Sequence, residues 1–161
     1  MDCHHGSRLR KGRISLEGHV YLVTAVTHLR RPLFADFTAG RLVVHAMKYH
    51  ADQGDALTLA FCVMPNHLHW LLALSGDKGL SKVVQSVKGY SAYRLRSHNS
   101  DCSEDTTKEA EPIWQQGFHD HAIRGEEHVV EAARYLVMNP VRAGIVSNIW
   151  QYPLWDAMWI E

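Results

Sequence analysis

Two short segments hold the residues whose types and spacing could do chemistry. The first is Cys62-Val63-Met64-Pro65-Asn66-His67-Leu68-His69-Trp70-Leu71-Leu72. Its second half carries leucines and a tryptophan without a helix-period polar face, so it reads as a buried β-strand. Side chains alternate faces along a strand, which puts His67 and His69 on one side and Leu68 and Trp70 on the other. Two neutral imidazoles on one face of a rigid strand can share a divalent ion, because the strand fixes their separation. Spacing alone is weak evidence, since paired histidines on a strand are more often satisfied polar residues than ligands. His119-Asp120-His121 has the same spacing and, by spacing, equal standing.

The second segment is Ala132-Ala133-Arg134-Tyr135-Leu136-Val137-Met138-Asn139-Pro140-Val141-Arg142-Ala143-Gly144. Tyr135 and Asn139 are four residues apart and share one helix face about one turn apart. If that face looks over the histidine strand, a phenol and a carboxamide stand beside two imidazoles. A phenol is a weak nucleophile until a metal polarises the phosphate it attacks. The plainer readings are a half-buried tyrosine and, next to Pro140, an ordinary helix terminator at Asn139.

The elements that must position these groups follow from periodicity and turn signals. Gly18 to His28 is rich in β-branched and aromatic residues and predicts a strand. Thr38 is the expected cap of a helix running to about His50, with Leu42, Val43, Ala46, Met47 and His50 on one face. Ala56 to Val63 and His67 to Leu74 predict two strands of an antiparallel hairpin. Leu80 to His98 predicts a second helix with a stripe of Leu80, Val83, Val84, Val87, Tyr90 and Leu95. Phe118 to Arg124 predicts a fourth strand, and Glu126 to about Met138 a third helix stopped by Asn139-Pro140. Strand, helix, strand, strand, helix, strand, helix is an α+β order. It predicts a ferredoxin-like split βαβ fold, an antiparallel sheet with an added C-terminal helix.

At 161 residues the chain is expected to form one domain, 1–161, with a basic arm at 1–17, a polar surface loop at 99–111 and an aromatic tail at 145–161 packed on the body. No run of eighteen apolar residues and no signal peptide is visible. Three widely spaced cysteines, Cys3, Cys62 and Cys102, argue against a disulfide framework or a zinc cluster, and for a reducing cytoplasm. The formal net charge is zero, but its distribution is uneven. Met1 to Arg31 holds six basic and two acidic residues, Lys78 to Arg96 five basic and no acidic ones, and Asp101 to Glu111 five acids and one lysine. Such blocks can present a positive face to phosphate despite overall neutrality. On charge, the DNA contacts expected first are Arg8, Arg10, Lys11 and Arg13, then Lys82, Lys88, Arg94 and Arg96, and then Arg124 and Arg142. Plain solvated surface is the competing reading for each.

The runs RLRKGRISLEGHVYLVTAVTHLRRPLF, VMPNHLHWLL, WQQGFHDHAIR and YLVMNPVRAGIV, in this order and spacing, resemble the REP-associated tyrosine transposases, relatives of the transposases of the smallest bacterial insertion sequences. The resemblance covers nearly the whole chain and is weakest over Asn99 to Glu111. It implies a metal-dependent endonuclease and strand transferase acting on single-stranded DNA at hairpin-forming repeats. It implies that His67 and His69 hold Mg²⁺ or Mn²⁺ and that Tyr135 is the nucleophile, forming a 5′-phosphotyrosyl enzyme and a free 3′-hydroxyl. It offers Asn139 as a further metal ligand, gives His121 a supporting role, and leaves His119 without one. Monomer and homodimer both stay open. The second reading is a catalytically silent hairpin DNA-binding protein of the same fold. A metallohydrolase using both histidine pairs ranks last, because its carboxylate ligands would have to come from acids that cluster in a loop.

Overall fold

Residues 19–100 and 110–159 are described by the structure, a computed structural model of the chain. The basic arm and nearly all of the acidic loop therefore lie outside the described residues. Five strands form one sheet: β1 (Val20–Val26), β2 (Ala56–Met64), β3 (His67–Leu74), β4 (His119–Ile123) and β5 (Trp155–Ala157). Their order across the sheet is β4-β1-β3-β2-β5, and every pair is antiparallel. Helices α1 (Phe37–Asp52) and α2 (Leu80–Ser100) are the two crossovers of the split βαβ pattern, and α3 (Glu126–Val137) and a single turn α4 (Asn139–Arg142) follow β4. This is the ferredoxin-like α+β architecture expected from the element order.

Alternation along β3 decides what each face does. Leu68, Trp70, Leu72 and Leu74 are all at most 2% exposed, while His67 and His69 on the opposite face are half-buried. The apolar face lies under α1 and α2, which pack on each other and bury Val43, Ala46 and Met47 from one, and Val83, Val84 and Val87 from the other. Trp70 is fully buried, yet its indole N–H donates to Thr58 Oγ1 at 3.0 Å, so this buried donor is paired. The two-residue connection Pro65-Asn66 joins β2 to β3 with Met64 opposite His67, which sets the register of both histidines.

One local expectation needs correction and two gain detail. The cap of α1 is Asp36, not Thr38: Asp36 Oδ1 accepts from the backbone N–H of Thr38 at 2.8 Å and of Ala39 at 3.3 Å. A carboxylate can take both free N–H groups of the first turn, so it outcompetes the hydroxyl two residues later. Asn139-Pro140 ends α3, as expected, but the chain then restarts as α4 with Pro140 in its first turn, where its missing N–H is not needed. Finally, the tail supplies a fifth strand, with Trp155 to Ala157 paired to Cys62 to Ala60. Leu154 reaches α1 because residue 40 is glycine: a Cβ there would stand 2.3 Å from Leu154 Cδ1. No helix among the described residues is long and apolar enough to cross a membrane.

Candidate active site

His67 and His69 converge. Their Nε2 atoms are 3.1 Å apart and their rings meet edge to face. The far nitrogen of each ring is anchored: His67 Nδ1 lies 2.6 Å from Asn66 Oδ1, and His69 Nδ1 lies 3.0 Å from Thr24 Oγ1 on β1. An amide oxygen only accepts, so His67 Nδ1 donates and its Nε2 offers a lone pair; the Thr24 hydroxyl can donate or accept, and when it accepts from His69 Nδ1 the His69 Nε2 offers a lone pair too. Burial holds both imidazoles below the usual histidine pKa. His67 is lowered by desolvation and by Arg30, and His69 falls to about 4 by desolvation, His67 and Arg142. Both are thus neutral at pH 7, the form that binds a metal.

The pair fits a shared divalent ion. Its nitrogen separation is close to the roughly 3 Å between adjacent nitrogen ligands bound at about 2.1 Å, and each ring has the outer hydrogen bond that orients a ligating histidine. Among the described residues no group of three or more His, Cys, Asp or Glu side chains could hold an ion. The remaining ligands must be carboxamide, phosphate or water. That donor set suits Mg²⁺ or Mn²⁺ held together with substrate, and argues against a closed structural zinc site.

Sheet register arranges the neighbours. His119, Thr24, His69 and Cys62 form one row across β4, β1, β3 and β2. Two strand spacings, about 10 Å, separate His119 from His69, so they cannot share an ion directly. His121 stands in the next row, opposite Leu22, and is exposed. Cys62 is fully buried, and desolvation pushes its thiol up to about 12, so it is a thiol rather than a thiolate at neutral pH. Thr24 and His119 also line a cleft of about 580 Å³, walled by Leu29, Trp114, Gln116 and Phe118. Leu29 in its wall and the next residue, Arg30, hold φ of 54° and 52°, a left-handed backbone that is unfavourable for both.

Helix α3 packs on β2 and β3, and α4 packs on β2. Tyr135 is 63% exposed. Arg142 joins the helix to the histidines. Its guanidinium lies 3.7 Å from the Tyr135 ring centroid and donates to the Tyr135 carbonyl at 2.6 Å and to Asn139 Oδ1 at 2.5 Å. Its charge also contributes to lowering the His69 pKa and offsets part of the rise that burial imposes on the Cys62 thiol. Asn139 Nδ2 is buried without a hydrogen-bond partner.

The cations read from charge fall into different situations. Lys88 is a tether: its Nζ takes the carbonyls of Gln115 at 2.7 Å and Gly117 at 2.5 Å and holds the wall of the cleft to α2. Arg94 folds onto Tyr90, donating to its hydroxyl at 2.8 Å, and Arg96 reaches the Glu111 carbonyl at 3.5 Å. Lys82 and Arg124 are exposed, and Arg8, Arg10, Lys11 and Arg13 lie outside the described residues. Thr24 and Asn66 were not legible as site residues. Asn66 carried a signal as the carboxamide next to His67, whereas Thr24, 45 residues from its partner, becomes visible only once the register is known.

Sequence and fold are shared with proteins already described. The family model described as "Transposase IS200 like" matches residues 15–138, and the chain belongs to this family. Among its relatives are a REP-associated tyrosine transposase of Escherichia coli K12, 27% identical over 58% of the chain, and a Haemophilus influenzae Rd protein assigned to the same group, 28% identical over 60% of it. The chain spans about half the length of these curated relatives, 50% and 56%. In fold it is similar to a REP-associated tyrosine transposase bound to a REP hairpin, with a TM-score of 0.71 at 23% identity over 89% of this chain and 79% of that one. A transposase-like protein from Deinococcus radiodurans R1 follows, with a TM-score of 0.53 at 22% identity over 78% and 94%.

Proposed function

We propose that this chain is a metal-dependent, single-stranded DNA endonuclease and strand transferase that cuts beside hairpin repeats through a 5′-phosphotyrosyl intermediate on Tyr135. One observation carries the reading: two neutral imidazoles, 3.1 Å apart and each anchored from behind, on the face that α3 and α4 adjoin. His67, His69 and the Asn139 oxygen would hold Mg²⁺ or Mn²⁺. Bound there, the ion would supply Lewis-acid polarisation of the scissile phosphate. The relative solved with a REP hairpin supports hairpin DNA as the substrate.

The chain's own residues account for the rest. The Tyr135 hydroxyl gives up its proton and bonds to phosphorus, the bond to O3′ breaks, and O3′ leaves as a hydroxyl after taking a proton. A second 3′-hydroxyl reverses the exchange, so one phosphodiester replaces another and no nucleotide cofactor is consumed. Arg142, beside the phenol ring, is placed to neutralise phosphate charge as the strand arrives.

The test is incubation with single-stranded hairpin oligonucleotides from the repeats of the source genome, plus Mn²⁺, on a denaturing gel. A covalent band that disappears in Tyr135→Phe is expected. Binding without an adduct under any divalent metal would replace this reading with that of a silent hairpin-binding protein.

A further inference from the structure

Asn139 and Arg142 are bound to each other in a way that conflicts with full assembly of the site. Asn139 has one atom able to join a divalent ion, its amide oxygen, and Arg142 Nη2 already donates to that atom at 2.5 Å. Turning the amide over is no escape, because its NH₂ would then face guanidinium donors. The arrangement also strands Asn139 Nδ2, which is buried with no acceptor, and an unpaired buried donor is costly. The same guanidinium covers one face of the Tyr135 ring and pins the Tyr135 carbonyl. A single side chain thus occupies the nucleophile and the amide ligand at once.

We propose that Arg142 is a phosphate-operated latch, a positioning residue that keeps the site incomplete until a DNA backbone phosphate takes its guanidinium. The proposal rests on the nuclease reading above. A guanidinium prefers a phosphate, which it can grip at two points with full charge, to a neutral carbonyl and a carboxamide. Transfer of Arg142 to the strand frees the Asn139 oxygen for the ion, lets the amide rotate so that its NH₂ finds a partner, and uncovers the Tyr135 ring. Metal affinity is therefore low before DNA arrives, and cleavage of the wrong ligand is suppressed without a lid.

The latch makes a prediction of unusual sign. In the DNA-free protein, Arg142→Ala should bind Mn²⁺ about tenfold more tightly than the parent, read by titration calorimetry or by the loss of the free-ion paramagnetic resonance signal. Adding Asn139→Ala to that variant should abolish the gain. Arg142→Lys separates the latch from simple repulsion: lysine keeps the charge but lacks the two-point grip, so the gain should persist. With hairpin oligonucleotide, Arg142→Ala should form less adduct despite its tighter metal. The proposal is overturned if Mn²⁺ affinity is unchanged or lower in a folded Arg142→Ala protein, if the gain survives Asn139→Ala, if Arg142→Lys abolishes it, or if neither protein binds Mn²⁺. The metal titration needs no DNA. Absence of an adduct in the parent, alongside an Asn139-dependent gain in metal affinity, would therefore sink the nuclease reading and leave the latch geometry standing.

Discussion

Thr24 and Asn66 stand behind the two imidazoles and set the direction in which their far nitrogens point. Thr24→Val is nearly isosteric and removes only the hydroxyl, so it isolates this effect. It should lower Mn²⁺ affinity and adduct formation 10- to 100-fold with little change in melting temperature, the magnitude usual for an outer partner of a metal-bound histidine. The neutral histidines also have a stability consequence. His69 is near 4 when folded against an ordinary histidine value of 6.5, so between these values the unfolded chain binds the extra proton. Stability is highest above about pH 6.5 and falls as pH drops towards 4, by on the order of 3 kcal/mol in the metal-free protein. Thermal melts in chelator should show that slope in the parent and less of it in His69→Gln. Spacing alone marks His67 and His69 and His119 and His121 equally, and the resemblance to the family, not the period, singles out the first pair and Tyr135. Arg142 could be read only as a cation, since its stacking on Tyr135 depends on how α4 restarts after Met138.

Most of the elements were legible because their signals are local. The β3 strand, His67 to Leu74, has the bounds that its apolar alternation and the Pro65-Asn66 break imply. The cap of α1 was misplaced by two residues because Asp36 and Thr38 are both good caps, and the choice depends on which N–H groups the chain presents after Pro32. Asp36→Ala should therefore cost about 1 kcal/mol, visible in urea unfolding, while Thr38→Ala should cost far less. The β5 strand was missed for a different reason. Three residues carry no periodic signal, and only the exposed edge of β2 makes Trp155 to Ala157 a strand. Lys88 shows the limit of reading charge by itself. Its ammonium lies against two carbonyls of the 115–117 turn, a partnership between residues 27 and 29 positions apart.

On the scale of the whole molecule, the two ends of the sheet do different work. At one end stand the histidines and the cleft. At the other, His50 Nδ1 and Lys78 Nζ lie 2.8 and 3.0 Å from one oxygen of Asp55, tying the end of α1 to the connection before α2. Those hydrogen bonds, His50 first and then Lys78, hold the Asp55 carboxyl below its ordinary value of 3.8. A carboxyl depressed in the folded state stabilises above its unfolded pKa and loses that contribution as pH falls through the folded one. Asp55→Asn should accordingly lower the melting temperature at pH 7, and the difference should shrink as the pH falls below 3.8.

The tail has a further consequence. β2 is nine residues long and would otherwise be the open flank of the sheet. Pairing with β5, together with the Val63 N–H bonded to the Leu154 carbonyl and the Met158 N–H bonded to the Leu59 carbonyl, covers it from Leu59 to Val63. The opposite flank, β4, is short and carries His119, Asp120 and His121, which discourages pairing with another chain. Deleting residues 149–161 would bare a row of unpaired N–H and C=O groups beside an apolar strand, a template for stacking one molecule on the next. Light scattering of the truncated protein should show aggregates at concentrations where the full chain stays dispersed, so the last strand would act as a solubility device.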